Sequence, residues 1–199
     1  MGNRKWAHAP SWNSKQLFSY WDSNNVFRFQ VGHITDDSIK TLNECIEAAE
    51  LKSDTSLIIQ ALNDYGRIGM LPEYTDAANL AYFSCLEKLL THKPEPKDTI
   101  DSIRRQLRTK LKLLRKRFAR TIEFENYIDS STLTTDSKIW NKLYDYRSTI
   151  AHGGTVDFAK EFKALRGVEN ITQLLKETLR LTIIEGLLNE EFLLDLKDC

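Results

Sequence analysis

Tyr144-Asp145-Tyr146-Arg147-Ser148-Thr149-Ile150-Ala151-His152-Gly153-Gly154 is the segment whose reading decides the fold. It closes a run in which Ile139, Trp140, Leu143, Tyr144 and Ile150 recur at helical spacing, and Gly153-Gly154 stops that run. Leu143, Arg147 and Ile150 fall near one face, so the apolar stripe carries an arginine inward with it. His152 follows Arg147 by five residues, about 140° away on a regular helix of 3.6 residues per turn. The two side chains converge only if the last turn loosens, or if a second copy of the segment faces the first. Two glycines directly after the histidine permit a left-handed ending.

The helical period recurs on both sides of this segment. Thr35-Asp36-Asp37 predicts a helix start, with the helix running to about Leu51 and Ile39, Leu42, Cys45, Ile46 and Ala49 facing inward. Ser53-Asp54 begins a second, carrying Leu57, Ile58, Ala61, Leu62 and Tyr65 and ended by Gly66, Gly69 and Pro72. Thr75 or Asp76 starts a third through Ala78, Ala81, Tyr82, Cys85, Leu86, Leu89 and Leu90. Two prolines and several charges make His92 to Lys97 a loop, with Asp98 as the cap of the next helix. Asp129 to Ser137 is a polar loop before the motif helix, and Thr155 to Gly167 is a loose connection with one helical turn around Phe158 and Phe162. Glu169 to Leu188 is a long final helix, apolar over a wide arc, and Phe192, Leu193, Leu194 and Leu196 add an apolar tail. So much apolar surface asks for cover from the core or from a second chain, which predicts a homodimer.

Residues 1 to 34 differ in kind. Trp6, Trp12 and Trp21, three of the four tryptophans, stand there with Phe18, Tyr20, Phe27 and Phe29, and Val26 to Val31 alternates like a short strand. Such an arm either lays its aromatics over the helical core or offers them as a stacking platform for single-stranded nucleic acid. The expected architecture is all-α: an up-and-down bundle of about five to seven helices in residues 35–199, preceded by an aromatic-rich arm in residues 1–34.

The 199 residues balance 28 Lys and Arg against 28 Asp and Glu, so any nucleic-acid affinity must come from a local patch. One patch stands out. Ile103 to Arg120 holds Arg104, Arg105, Arg108, Lys110, Lys112, Arg115, Lys116, Arg117 and Arg120 and no acid, while Ile103, Leu107, Leu111, Leu114 and Phe118 keep a core-facing stripe. A basic face of this kind meets either RNA phosphates or an acidic protein surface; Arg104, Arg105, Arg108, Lys112, Arg115 and Lys116 are the candidate RNA contacts.

Other chemistries find little support. Hydrophobic residues at 41% and charged residues at 28% are ordinary for a globular domain. Three cysteines without a Cys-x-x-Cys pair, no apolar run near the ~20 residues that span a bilayer and no signal-peptide core predict a cytoplasmic protein. His8, His33, His92 and His152 are scattered, so neither metal nor cofactor is expected. Gly66-Arg67-Ile68-Gly69 is no phosphate loop, because no strand precedes it and no Lys-Ser or Lys-Thr follows.

The wording Tyr144-x-x-Arg147-Ser148-x-Ile150-Ala151-His152-Gly153 resembles the signature of HEPN domains, most closely their Apea-like branch. The resemblance implies an all-helical, commonly dimeric domain, often a metal-independent endoribonuclease of toxin, abortive-infection or RNA-processing systems. It also implies that Arg147 and His152 are catalytic, meeting across two facing copies of the motif helix. Cys85 to Leu90 resembles the segment in which Apea-like domains carry a glutamate towards that motif, here Glu87, with Tyr144 and Ser148 as further supporting residues. An imidazole can take the proton of a ribose 2′-OH, whose oxygen attacks the adjacent phosphate, and a guanidinium offsets the charge that builds on the pentavalent phosphorus. Two expectations stand side by side. One is a dimeric endoribonuclease acting as a defence or toxin-type effector, with RNA as substrate and an antitoxin or regulatory protein as a further partner. The other is a catalytically silent module for dimerisation, nucleotide sensing or partner binding, in which Arg147 only pairs with Glu87 and His152 only caps its helix. Ser148, where many active members carry Asn or Asp, and the neutral overall charge favour the second.

Overall fold

A computed structural model describes residues 36–93, 102–118 and 120–199. The aromatic arm 1–34, the strand reading of Val26 to Val31, the Pro94 to Lys97 loop and the Asp98 cap lie outside the described residues. Seven α-helices form an up-and-down bundle, with no strand among the described residues: α1 Asp36–Glu50, α2 Leu57–Ile68, α3 Asp76–Leu90, α4 Ile103–Leu114, α5 Asp136–Ala151, α6 Val168–Leu188 and α7 Glu190–Asp198. Single 3-10 turns at Phe124–Asn126 and Lys163–Leu165 punctuate the connections.

Side-chain caps fix where the helices begin. Thr75 Oγ1 accepts from Ala78 N, Ser102 Oγ from Arg105 N and Thr135 Oγ1 from Lys138 N, each satisfying a first-turn amide. The second helix starts later than the sequence predicts. Ser53 Oγ is engaged with the Thr55 hydroxyl and amide, and Ser56 N bonds back to Ser53 O, so the chain makes a local turn and Ser56 becomes the cap. Gly66 lies inside α2 and does not end it.

α3 and α6 form the centre. α6 packs on α1, α2, α3 and α7, while α3 also meets α2, α4, α5 and α7. Along α6 nearly every residue from Ile171 to Leu187 is buried, and at Gly186 an added Cβ would lie 2.6 Å from Ile58 and 2.7 Å from Leu193. That contact lets α2 and α7 close onto α6. The apolar tail therefore lies within its own chain: Leu193 and Leu196 are buried, Lys52 bridges to Glu190 at 2.7 Å, and the Lys197 carbonyl accepts from Lys110 Nζ and His92 Nδ1. For Leu193 and Leu196 the cover comes from the core, while Leu188 and Leu194 stay exposed.

Three further expectations are corrected. α1 buries only Cys45 and Ala49 of its predicted inward face, because it packs on α6 by its C-terminal half and leaves Ile39 exposed. The basic helix stops at Leu114, not Arg120; there Arg115 turns across to Asp136 at 2.6 Å and over the Phe124 ring, and a turn carries the chain on. The Thr155 to Gly167 connection is packed, with Phe162 fully buried, Asp129 N bonded to Ala164 O, and Arg166 donating to Glu125 O.

Two polar networks run through this apolar interior. The Tyr146 hydroxyl donates to Asp76 Oδ1 at 2.7 Å and accepts from Asn79 Nδ2 at 2.9 Å, while Asn79 Oδ1 accepts from Thr172 Oγ1. The second lies along α6, where Glu177 takes two bonds from Arg180 and one from Arg120. Burial pushes the Glu177 carboxyl up, but the bonds and charges of Arg180 and Arg120 outweigh it and leave the carboxyl below the ordinary range.

Asn79→Ala should strip a buried donor from Tyr146 and a buried acceptor from Thr172. A loss of about 2 kcal/mol is expected, read as a lower urea midpoint at unchanged slope. Because the folded-state pKa of Glu177 is depressed, its contribution is present above the unfolded-chain value near 4.5 and disappears as pH falls through the lower folded value. Glu177→Gln should therefore destabilise at pH 7 and flatten the acid limb of a stability-against-pH curve.

Candidate active site at the end of the fifth helix

The side chains that set the roll of α5 are Ile139, Leu143, Tyr146 and Ile150, at steps of four, three and four, all buried. α5 packs on α3 and α4, and Arg147 lies beside the buried stripe at its edge. Its Nη2 donates to Glu87 Oε2 at 3.1 Å, across from α3 to α5, with the arginine side chain 29% and the glutamate 15% exposed. The pair is single-ended. Glu87 Oε1 and Arg147 Nε are shut from solvent with no hydrogen-bond partner among the described residues. The Arg147 guanidinium is thus anchored by one nitrogen and still reaches the surface.

Tyr144 extends this edge. Its ring lies 5.7 Å from the Arg147 guanidinium and 5.9 Å from that of Arg104, within cation–π range. Burial, with the Glu87 carboxylate adding to it and the two arginines opposing, raises the Tyr144 phenol above its ordinary value. It keeps its proton at neutral pH. Ser148 is half-buried and contributes its carbonyl, which accepts from His152 N–H at 3.2 Å.

That bond keeps the helix regular up to the histidine. The end itself is made by the glycines: Gly153 takes φ +70°, its N–H returns to Ile150 O, and Gly154 N–H returns to Thr149 O at 2.8 Å. These are the two bonds of a Schellman ending, and only a residue without Cβ takes the left-handed position at low cost. The backbone therefore does the capping. The His152 side chain is exposed and has no hydrogen bond or ion pair among the described residues. Since the last turn does not loosen, Arg147 and His152 of one chain keep their separation of about 140° around the axis.

The basic segment is less free than its composition implies. Arg104 Nη1 meets Asp145 at 2.8 Å and its other nitrogens bond Asn141, which also accepts from Arg108. Arg115 faces Asp136, Arg117 faces Glu185 at 2.6 Å and lies over Phe192, and Arg120 faces Glu177. Lys112 and Lys116 are exposed, and neither has an anionic partner among the described residues. Arg105 is exposed as well.

Tyr146, Asn79 and Asp76 were missed as a polar unit by the sequence reading. The Ile139, Leu143, Tyr146, Ile150 spacing was the available signal for Tyr146; nothing local in the sequence marks Asn79 as its partner. Burial pushes the Cys45 and Cys85 thiols up to about 11 and about 12, so neither offers a thiolate near neutral pH. Among the described residues no group of three His, Cys, Asp or Glu side chains is placed to hold a metal ion, and no helix is long and apolar enough to cross a membrane.

Compared with protein-family models, with curated proteins and with solved structures, the chain matches none.

Glu87→Gln keeps an oxygen for Arg147 and removes the charge. A stability loss of about 1 kcal/mol is expected for this partly screened pair, together with a moderate loss of any Arg147-dependent activity. Wild-type melting and wild-type activity together would take Glu87 out of the site.

Proposed function

We propose that this chain is a metal-independent endoribonuclease of HEPN type, active as a homodimer in which two copies of α5 bring Arg147 of one and His152 of the other to a shared cleft. The observation that carries this reading is the state of His152. A histidine retained only to close a helix would be engaged in the closure, yet here the backbone of Gly153 and Gly154 closes α5 and the imidazole is left exposed. Arg147 supports it from the other side: anchored to Glu87 by one nitrogen, it keeps a fixed direction and an accessible edge. The regular helix argues for two chains, because one copy cannot bring the pair together.

In this reading His152 takes the proton from a ribose 2′-OH. The oxygen attacks the neighbouring phosphorus, and the 5′-oxygen leaves and is protonated, giving a 2′,3′-cyclic phosphate and a 5′-OH. The planar fork of Arg147 faces the non-bridging oxygens as charge builds on them. Tyr144 and Glu87 hold the guanidinium, and Ser148 sustains the last turn. Lys112 and Lys116 are the basic side chains most open to RNA phosphates, with Arg104, Arg108 and Arg115 serving first to join α4 to α5. The resemblance of the motif to that of defence and toxin-type effectors favours a cytoplasmic role of that sort, restrained by an antitoxin or regulatory protein.

A second reading, a silent dimerisation, nucleotide-sensing or partner-binding module, is favoured by the formed Arg147–Glu87 pair and the internal pairing of most of the basic segment. Total RNA incubated with the purified protein in EDTA separates the two. Cleavage to 2′,3′-cyclic phosphate ends is expected, falling by about 10²–10⁴-fold in His152→Ala with little change in melting temperature. Arg147→Lys should be comparably slow, since charge is kept and the fork is lost. Light scattering should find a dimer. Cleavage that EDTA abolishes or that His152→Ala leaves intact would hand the case to the silent module.

A further inference from the structure

Several cations of the basic segment are engaged within the fold. Arg104, Arg115, Arg117 and Arg120 each face a carboxylate from another element, Arg108 donates to Asn141 Oδ1, Arg105 is also engaged, and buried Lys110 donates to the Lys197 carbonyl. Lys112 and Lys116 are left over. They stand four residues apart, a spacing at which like charges repel, and no described carboxylate relieves them. Both open onto a cleft of about 470 Å³, which they line together with Arg115, Thr134, Thr135, Asp136 and Ser137.

The far wall of this cleft is the start of α5. Lys138 N–H is taken by the Thr135 hydroxyl and Ile139 N–H by the Thr135 carbonyl, so the intrahelical ladder begins beyond Asp136 and Ser137. The amides of those two residues lie at the positive end of a sixteen-residue helix. The Asp136 carboxylate would repel an anion, but Arg115 Nη1 already holds it at 2.6 Å. What remains in the cleft is two uncompensated ammonium groups, three hydroxyls and a helix terminus, all favouring one kind of guest.

We propose that this cleft binds a phosphate group, gripped by Lys112 and Lys116 on one side and by the hydroxyls and amides of Thr134 to Ser137 on the other. On the ribonuclease reading, upon which this extension rests, the guest is a phosphodiester of the RNA strand away from the bond being cut. Eleven residues of α5 separate Asp136 from Arg147, about 16 Å at 1.5 Å per residue. That distance corresponds to about five nucleotides stacked at ~3.4 Å. RNA shorter than this cannot fill the cleft and the Arg147 end of the same protomer together, so the cleft makes the enzyme prefer longer strands.

The test uses the full chain, wild type and Lys112→Ser/Lys116→Ser, with Lys112→Arg/Lys116→Arg as the charge-keeping variant and Lys160→Ser as a control on the opposite part of the sequence. Both lysines are exposed and without an anionic partner, so melting temperatures should not change. Inorganic phosphate, titrated calorimetrically, should bind wild type and the arginine variant alike and the serine variant at least about tenfold more weakly. An RNA of about 12 nucleotides and one of about 3, lying either side of the five-nucleotide span, should separate in cleavage assays. For the longer RNA the serine variant should raise KM about tenfold at unchanged kcat and lower the slope of log K against log salt by about 1.4. The shorter RNA should show neither change. Equal phosphate binding by wild type and serine variant, or none by wild type, overturns the cleft. So does long RNA bound and cut alike by both, which leaves the ribonuclease reading standing. Phosphate binding that the serine variant loses, with no RNA bound or cut by wild type, keeps the cleft as a site for a small phosphate-bearing ligand and removes the RNA reading.

Discussion

The hydroxyl of Tyr146 is the point on which three helices agree. It sits in an apolar interior where an unmatched polar atom is costly, so its partners on α3, and through Asn79 the Thr172 hydroxyl on α6, must all be in register at once. The buried stripe Ile139, Leu143, Tyr146 and Ile150 sets the roll of α5, and the hydrogen bonds of Tyr146 hold it there. Arg147 is the next residue along, and its position opposite Glu87 is a consequence of where Tyr146 has been held.

Much of the architecture was legible because helical periodicity reports burial directly. The stripe of α3, the long apolar α6 and the glycine ending of α5 follow from residue spacing and from the freedom of glycine at positive φ. The errors fell where non-local contacts decided. Ser53 and Ser56 are equally good caps by composition, and only the turn that Ser53 makes with Thr55 selects the later one. Arg115 continues a helical pattern in sequence but finds Asp136 and Phe124 off the helix path. The apolar tail implied an outside cover, whereas a lysine, a histidine and Gly186 arrange for it to fold onto its own chain.

The candidate site was legible in its residues and not in its geometry. Sequence spacing gave the angle between Arg147 and His152, and the structure keeps that angle because the helix stays regular to its cap. It could not say whether the histidine ring or the glycine backbone closes the helix. The basic segment teaches the complementary point. A run of positive residues without a local acid reads as a nucleic-acid surface, yet acids from α5 and α6 answer Arg104, Arg115, Arg117 and Arg120 in three dimensions, and Asn141 and the Lys197 carbonyl take Arg108 and Lys110. Only after that subtraction do Lys112 and Lys116 stand apart.

The enclosure of α6 bears on how this domain breathes. The helix packs against α1, α2, α3 and α7, and at Gly186 the side chains of Ile58 and Leu193 leave no room for a Cβ. The buried stretch of α6 from Ile171 to Leu187 sheds its amide protons to solvent only when α2, α3 and α7 part from it, which ties its opening to the unfolding of the core. α1, resting on α6 with two buried side chains, is under no such bond. The domain therefore has a rim that can detach and re-dock many times in the life of a core that opens once, and a protease would find its first foothold at that rim.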